Sequence, residues 1–329
     1  NPSLQMASFT ITEKGYSIYD GKGELLSVVE SGFNDKPENQ QHLMGRVAAL
    51  CYRRFKTCKA PIALSSMDNC SHNGDKLKAG VMSFVDAWVK NGIVEKEFAD
   101  YMNDENQVSF PWSMIDKITP RPDENVKKML EKDGFEDTDL IITNRNTYTS
   151  PFVNSEETGY LVIEDKFPNG RPPIDKAGIL FTDRETVDKV EKMKVCTCLN
   201  PLHTALAIYG CLLSHTTIHG EMEDKELSTL VEKMCYQEGM PVVVNPGILD
   251  PKEFIRSEGL CECSAHAPPS KSIYAGYTTA YRNRYFPKTS NPFWRDDQVL
   301  HRKRQPGCTV LDFDPTGFGR MVPLSYGHQ

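Results

Sequence analysis

Two rhythms of hydrophobic and polar positions run along this chain, and the change from one to the other falls near Thr186. Residues 7–12 alternate in the manner of a half-buried strand, and 17–29 read as strand around the turn Asp20-Gly21-Lys22-Gly23. Leu43, Val47, Leu50 and Cys51 recur at helical spacing in a segment that ends basic at Phe55, as helix C-termini prefer. Ala60 to Met67 is instead a short unbroken apolar run ending in Asp68-Asn69. That pattern predicts a buried parallel strand whose carboxyl end delivers polar groups to a crevice. Asn73-Gly74 reads as a tight turn, followed by amphipathic helices over Asp75 to Lys90 and Glu95 to Met102. A loop from Phe110 to Pro120, a short helix over Asn125 to Lys132, and strands at Leu140 to Thr143 and Tyr160 to Ile163 follow. Gly170-Arg171-Pro172-Pro173 breaks the chain, and from Thr186 the sequence is mostly helical, with an apolar run from Ala205 to Leu213. Strand–helix alternation followed by helices alone predicts an α/β domain and then an α domain.

The 329 residues are enough for two domains, and 39% hydrophobic content suits a globular chain. A net charge of -7 argues against nucleic acid as a main partner, because phosphate binding needs a basic field. The sequence reads as having no apolar run of membrane-spanning length and no signal peptide, so no membrane association is expected. Ten cysteines lie scattered without paired CxxC spacing, which predicts neither zinc nor a disulfide framework but reduced thiols in a cytoplasm. Asn1 leads almost directly into a strand-like run, so residue 1 reads as a cut end. No Gly-x-Gly-x-x-Gly follows a strand; Gly21-Lys22-Gly23 is a hairpin turn and Gly317-Phe318-Gly319 lacks the context.

Chemistry concentrates between Glu191 and His203. Glu191 and Lys194 are three apart, and Asn200 and His203 are three apart on a helix entered at Asn200-Pro201, where proline misses no hydrogen bond. Apolar surroundings lower the pKa of a lysine toward that of a general base, and a nearby glutamate can carry its proton away. Asn and His suit the oxygen of an alcohol or carbonyl. An ordinary helix start with solvated charges has the same spacing and stays open. Asp68-Asn69 alone reads as a turn, Asp116 beside Lys117 as a surface ion pair, and Arg171 and Glu164-Asp165 as solvated charges. His72, His215 and His219 fall into no ligand spacing and read as surface or capping residues.

Taken in order, these segments resemble the long-chain mannitol dehydrogenase family, which includes mannitol 2-dehydrogenase and the fructuronate and tagaturonate reductases. The resemblance rests on Thr12-Glu13-Lys14-Gly15-Tyr16, on Ser66-Met67-Asp68-Asn69 with Asn73-Gly74, and on Ile115 to Pro120. It continues through Val162-Ile163-Glu164-Asp165, Glu191-x-x-Lys194 and Asn200-x-x-His203, and covers residues 1–255. It implies metal-independent hydride transfer between NAD, with NADP left open, and a sugar-derived secondary alcohol. It implies Lys194 as general base, Glu191 as its proton relay, and Asn69 with Asn200 polarising the substrate oxygen. His203 would orient substrate hydroxyls, and Asp116 would neighbour the site at the domain crevice. Arg171 is a candidate partner for a hexuronate carboxylate, and D-mannonate/D-fructuronate is favoured over D-mannitol/D-fructose. The family usually leaves four residues between this lysine and asparagine; here Val195 to Leu199 make five, which a bulge or a shifted helix start would have to absorb.

Past Ile255 neither rhythm persists, and the resemblance stops. Codons for Tyr277 to Gln298 can be chosen so that reading one base later gives DIPQRIGIDTSQKLPIRFGETI, which resembles the family's continuation. The expectation is a one-base frameshift near Arg256-Ser257. The chain is therefore expected as a partial Rossmann-like dinucleotide-binding domain (1–186, first βαβ unit missing), a truncated all-helical substrate domain (187–255), and a poorly ordered, out-of-frame tail (256–329). Such a piece should bind NAD poorly and turn over weakly or not at all. The alternative is a non-catalytic carbohydrate-binding or interaction module derived from the same fold. The partner in either case is a small sugar acid or polyol; the sequence sets no oligomeric state, and a monomer is compatible with it.

Overall fold

A computed structural model describes residues 1–11, 13–116, 122–144, 147–153, 159–215 and 218–257, together with the backbone of 309–313 and 319–323. Strand β1 (Met6–Phe9) is followed by the short helix α1 (Glu13–Tyr16), then α2 (Ser27–Asn34) and α3 (Leu43–Thr57), before β2 (Ile62–Ser66) pairs parallel to β1. Helices α4 (Asn73–Lys90) and α5 (Lys96–Asn103) lead to β3 (Val108–Ser109), parallel to β2, so the sheet order is β1-β2-β3. Every residue of β2 is buried, as its unbroken apolar run demands of a central parallel strand. The core of this region joins Ile62 and Leu64 to Val47, Cys51 and Phe55 of α3 and to Leu77, Phe84, Val85 and Trp88 of α4.

A second sheet follows. Strand β4 (Ser113–Asp116) leads through α6 (Glu124–Lys132) and a small antiparallel pair, β5 (Ile141–Ile142) with β6 (Tyr148–Thr149). The chain then returns as β7 (Tyr160–Glu164), antiparallel to β4, with β8 (Leu180–Thr182) parallel to β7. Helix α7 (Arg184–Lys192) packs Val187 and Val190 against Met114 and Val162 of this sheet. It runs through a π-helix (Met193–Cys198) into α8 (Asn200–Leu212). Helices α9 (Ile218–Glu223) and α10 (Lys225–Glu232), a second π-helix (Lys233–Gly239) and α11 (Pro251–Ser257) complete the helical part. Its core gathers Met193, Leu199, Leu202, Leu206, Leu227, Val231 and Ile255.

Several sequence expectations change, and the stretch expected as a loop from Phe110 holds strand β4 at Ser113–Asp116. The stretch 17–29 is strand only as an isolated bridge between Tyr19 and Leu25, and Ser27 opens α2. The Asp20 carboxylate accepts from the N–H groups of Lys22 and Glu24, closing the turn early, and the complete burial of Val29 overrides its strand propensity. Asn73-Gly74 is the first turn of α4 rather than a free turn. A Cβ on Gly74 would lie 2.5 Å from the Phe110 carbonyl oxygen, so glycine is what lets α4 start against the 110–112 backbone. The helical segment Arg184–Leu212, bent at Leu199, is long and apolar enough by length and composition to cross a bilayer, where the sequence was expected to hold no such run. Leu202 and Leu206 are core residues here, which gives its apolarity a packing reason. The expected disorder of the tail lies mostly outside the described residues; within it, β9 (Thr309–Phe313) and β10 (Gly319–Pro323) pair antiparallel where neither rhythm predicted an element.

Candidate active site

Lys194 leaves α7 on the first turn of the π-helix and is 5% exposed. Its Nζ donates to the main-chain oxygen of Ile115, the residue before the end of β4, at 3.2 Å. The Leu199 N–H donates to the Lys194 carbonyl at 3.0 Å, the i→i+5 pattern that defines a π-turn. A π-turn holds one more residue than an α-turn. The fifth residue between Lys194 and Asn200 is therefore wound into the helix, while Met193 and Cys198 stay buried.

His203, one turn into α8, is 2% exposed, and burial together with the neighbouring Lys194 charge pushes its pKa down to about 4. Its ring is neutral at ordinary pH, so it offers a hydrogen-bonding edge and no charge. The structure thus brings together Lys194, His203 and the end of β4.

At the carboxyl ends of the first sheet, Asp68 is buried and accepts from the Tyr16 hydroxyl, from the Cys70 N–H at 3.0 Å and from the Ile11 N–H at 3.4 Å. Burial and the Asp68 carboxylate raise the Tyr16 pKa far above the usual phenol range, keeping it a donor. Asn73, fully buried, donates to the Asp68 carbonyl and the Ser113 hydroxyl and accepts from the Ser113 N–H, each at 3.0 Å. Ser113 in turn donates to the Ser66 carbonyl at 2.5 Å. This network joins the two sheets. Sequence reading gave Asp68 and Asn73 only as motif or turn residues, because nothing local shows that Ser113 lies opposite.

Glu191, half-buried on the last turn of α7, accepts from the His72 N–H at 3.3 Å. Asn69, past the end of β2, and Asn200, at the start of α8, are both exposed. Asp116 pairs with Tyr160 through the β4–β7 ladder. Arg171 is engaged by Asp165 at 2.7 Å and lies 4.5 Å over the Phe181 ring, which sets it into its own loop. Sequence reading missed Glu221. It is completely buried, neither carboxylate oxygen has a donor among the described residues, and burial pushes its pKa up to about 7. In a run with Glu223 and Asp224 it looks like any solvated acid.

Comparison with known proteins points to one family. The profile described as Mannitol dehydrogenase Rossmann domain matches residues 3–176. A D-mannonate oxidoreductase from Thermotoga maritima is 54% identical over 257 residues, 78% of this chain and 47% of the relative. A polyol:NADP oxidoreductase from Gluconobacter oxydans is 28% identical over 75% of this chain and 47% of its own length. Among solved structures, the Pseudomonas fluorescens mannitol 2-dehydrogenase ternary complex with NAD and D-mannitol superposes with TM-score 0.60 at 26% identity, covering 79% of this chain and 49% of that one. The chain spans about half the length of the curated relatives it matches.

Proposed function

Because this chain belongs to the mannitol dehydrogenase family, we propose that it carries the base-bearing part of an NAD-dependent oxidoreductase that interconverts a sugar-derived secondary alcohol and its ketone. The observation that carries this reading is Lys194, an amine buried between the Ile115 carbonyl and the neutral ring of His203. A bound nicotinamide would supply the hydride acceptor for this chemistry. Lys194 takes the hydroxyl proton, and Glu191, one turn back on the same helix, passes it on. His203 holds a substrate hydroxyl without competing for the proton. Asn69 and Asn200 polarise the carbonyl oxygen in the reverse direction.

The residues present fit the dinucleotide in part. Three parallel strands end together at Phe9, Ser66 and Ser109, the arrangement that receives a nucleotide, and the buried Tyr16–Asp68 pair stiffens that rim. Residues 1–329 hold no Gly-x-Gly-x-x-Gly loop of the kind that grips a pyrophosphate. The Thermotoga relative supports D-mannonate as substrate ahead of mannitol; the NAD complex of the solved relative supports NAD, and the polyol:NADP relative leaves NADP open. Cys51, Cys58 and Cys70 are free thiols, which supports a reducing cytoplasm.

Nicotinamide fluorescence titration together with D-mannonate oxidation tests the reading. Lys194→Ala should lower turnover by at least about a hundredfold and leave NAD binding unchanged. Equal turnover in both proteins removes Lys194 as the base. The outcome that would favour a sugar-binding module without chemistry is mannonate binding by calorimetry with no turnover in the assay. The out-of-frame tail has its own test in the gene: codons for residues 277–298 read one base on should spell the family's continuation.

A further inference from the structure

Helix α7 meets the first sheet's side of the fold at His72, in the loop before α4, and at Asp75 of α4, whose carboxylate lies 3.4 Å from the Arg184 guanidinium. His72 has φ 49° and ψ 45°, a left-handed conformation that few side chains other than glycine adopt but that histidine and asparagine tolerate. The N–H of this residue reaches the Glu191 carboxylate at 3.3 Å. Its ring stacks on Trp112, with centroids 4.1 Å apart and planes at 17°, and its Nε2 lies 3.2 Å from the Asp188 carboxylate. Trp112 is held in turn: its indole N–H donates to Asp75 of α4 at 2.9 Å, and the Arg184 guanidinium lies 4.8 Å over its ring. Arg184 also pairs with Glu164 at the end of β7.

Arg184, Asp188 and Glu191 are spaced i, i+4, i+7, one face of α7, and all three rest on the His72–Trp112 platform. The same helix then turns into the π-segment and presents Lys194. Asp188 and Glu191 also lie where the amide dipoles of α4 begin, which favours negative charge, and Lys192 holds Asp188 at 2.6 Å from the solvent side.

We propose that His72 is a positioning residue for the Lys194 site: its N–H and its ring together hold Glu191 and Asp188, and so fix the turn from which Lys194 is presented to Ile115 and His203. This rests on the reading of Lys194 as the base. His72 touches neither Lys194 nor the substrate oxygen in this scheme; it acts through the last turn of α7.

Two substitutions in the whole chain test it. His72→Gly keeps the left-handed backbone and the N–H but deletes the ring; His72→Asn keeps the backbone preference and restores an amide donor toward Asp188. In His72→Gly, peptide amides of 188–198 should exchange with deuterium about tenfold faster, while those of 43–57 and 73–90 exchange at the wild-type rate. Turnover should fall about tenfold, with the KM for NAD within twofold of wild type, and His72→Asn should recover most of both. Unchanged exchange at 188–198 in His72→Gly overturns the proposal. So does equal loss in both variants with faster exchange in 73–90, because that marks a merely structural residue. If the wild-type chain shows no turnover, exchange alone decides. Failure of the lysine reading is seen separately, as unchanged turnover in Lys194→Ala whatever the exchange shows.

Discussion

Glu164 and Glu221 both disappear from solvent, and the regions around them treat a buried carboxylate in opposite ways. At the end of β7, Glu164 accepts from the Trp112 N–H and the Arg184 Nε, each at 3.0 Å, so two donors replace the lost water. Between α8 and α9, Glu221 has no donor among the described residues and lies flat on Gly210, with its pKa up to about 7. The same contrast runs through the two regions as wholes. Around the sheets, Asp68, Asn73 and Ser113 close into hydrogen bonds. In the helical part, Lys194, His203 and Glu221 are sunk among apolar residues, and α8 leaves Tyr209, Leu212 and Leu213 exposed. The sheet region is built for rigidity. The helical region spends stability on ionisable groups held in an apolar setting, which is where proton chemistry can be tuned.

The largest effect expected is at the junction of the sheets. Asn73→Ala removes three buried hydrogen bonds and leaves the Ser113 N–H and the Asp68 carbonyl without it, so urea unfolding should show a loss of about 3 kcal/mol. A smaller loss would mean water substitutes there and the contrast between the regions is weaker than drawn. Gly210→Ala should follow, at about 2 kcal/mol, because the new methyl overlaps the Glu221 carboxyl and side chain. The double variant with Glu221→Ala should recover most of that loss, measured by the same unfolding curve; no recovery would move the clash elsewhere.

The most diagnostic effect is in pH, and per pH unit it is the smallest. His203 has a folded pKa near 4 against an ordinary 6.5, so between those values the unfolded chain binds the extra proton and stability rises with pH. Glu221, near 7 against 4.5, binds the extra proton when folded, so its contribution is whole below 4.5 and is lost as pH rises through 7. From 4.5 to 6.5 the two slopes oppose each other. His203→Gln should therefore uncover stability that falls with pH by about 1.4 kcal/mol per unit, and Glu221→Gln stability that rises by a similar amount. Chemical denaturation across that range checks both, and parallel curves in all three proteins would mean these groups do not titrate as their burial dictates.

How much was legible beforehand can be judged residue by residue. The apolar run before Asp68 announced β2, and the ordered motifs announced the family, because burial and fixed spacing leave marks within a few residues of sequence. The extra residue between Lys194 and Asn200 was visible as a count; that it is wound into a π-turn was not, since the choice among bulge, shift and π-turn depends on what packs against Met193 and Cys198. The strand misread at 17–29 has the same origin, because Val29 follows its tertiary neighbours against local propensity. Asn73 was legible only as part of a motif or turn, His72 only as a surface or capping residue, and Glu221 looked like any solvated acid. Each draws its role from a partner distant in sequence or, for Glu221, from the loss of solvent.

What the chain of residues determined by itself, then, was the order of strands and helices, the location of an amine, an acid, an amide and an imidazole near one helix start, and the family they belong to. Tertiary structure alone decided which of them meet: Lys194 against Ile115 and His203, Glu191 against His72, and Glu221 against Gly210. The reason is that hydrophobic period is written locally, whereas desolvation and hydrogen bonding depend on whichever distant segment the fold lays alongside.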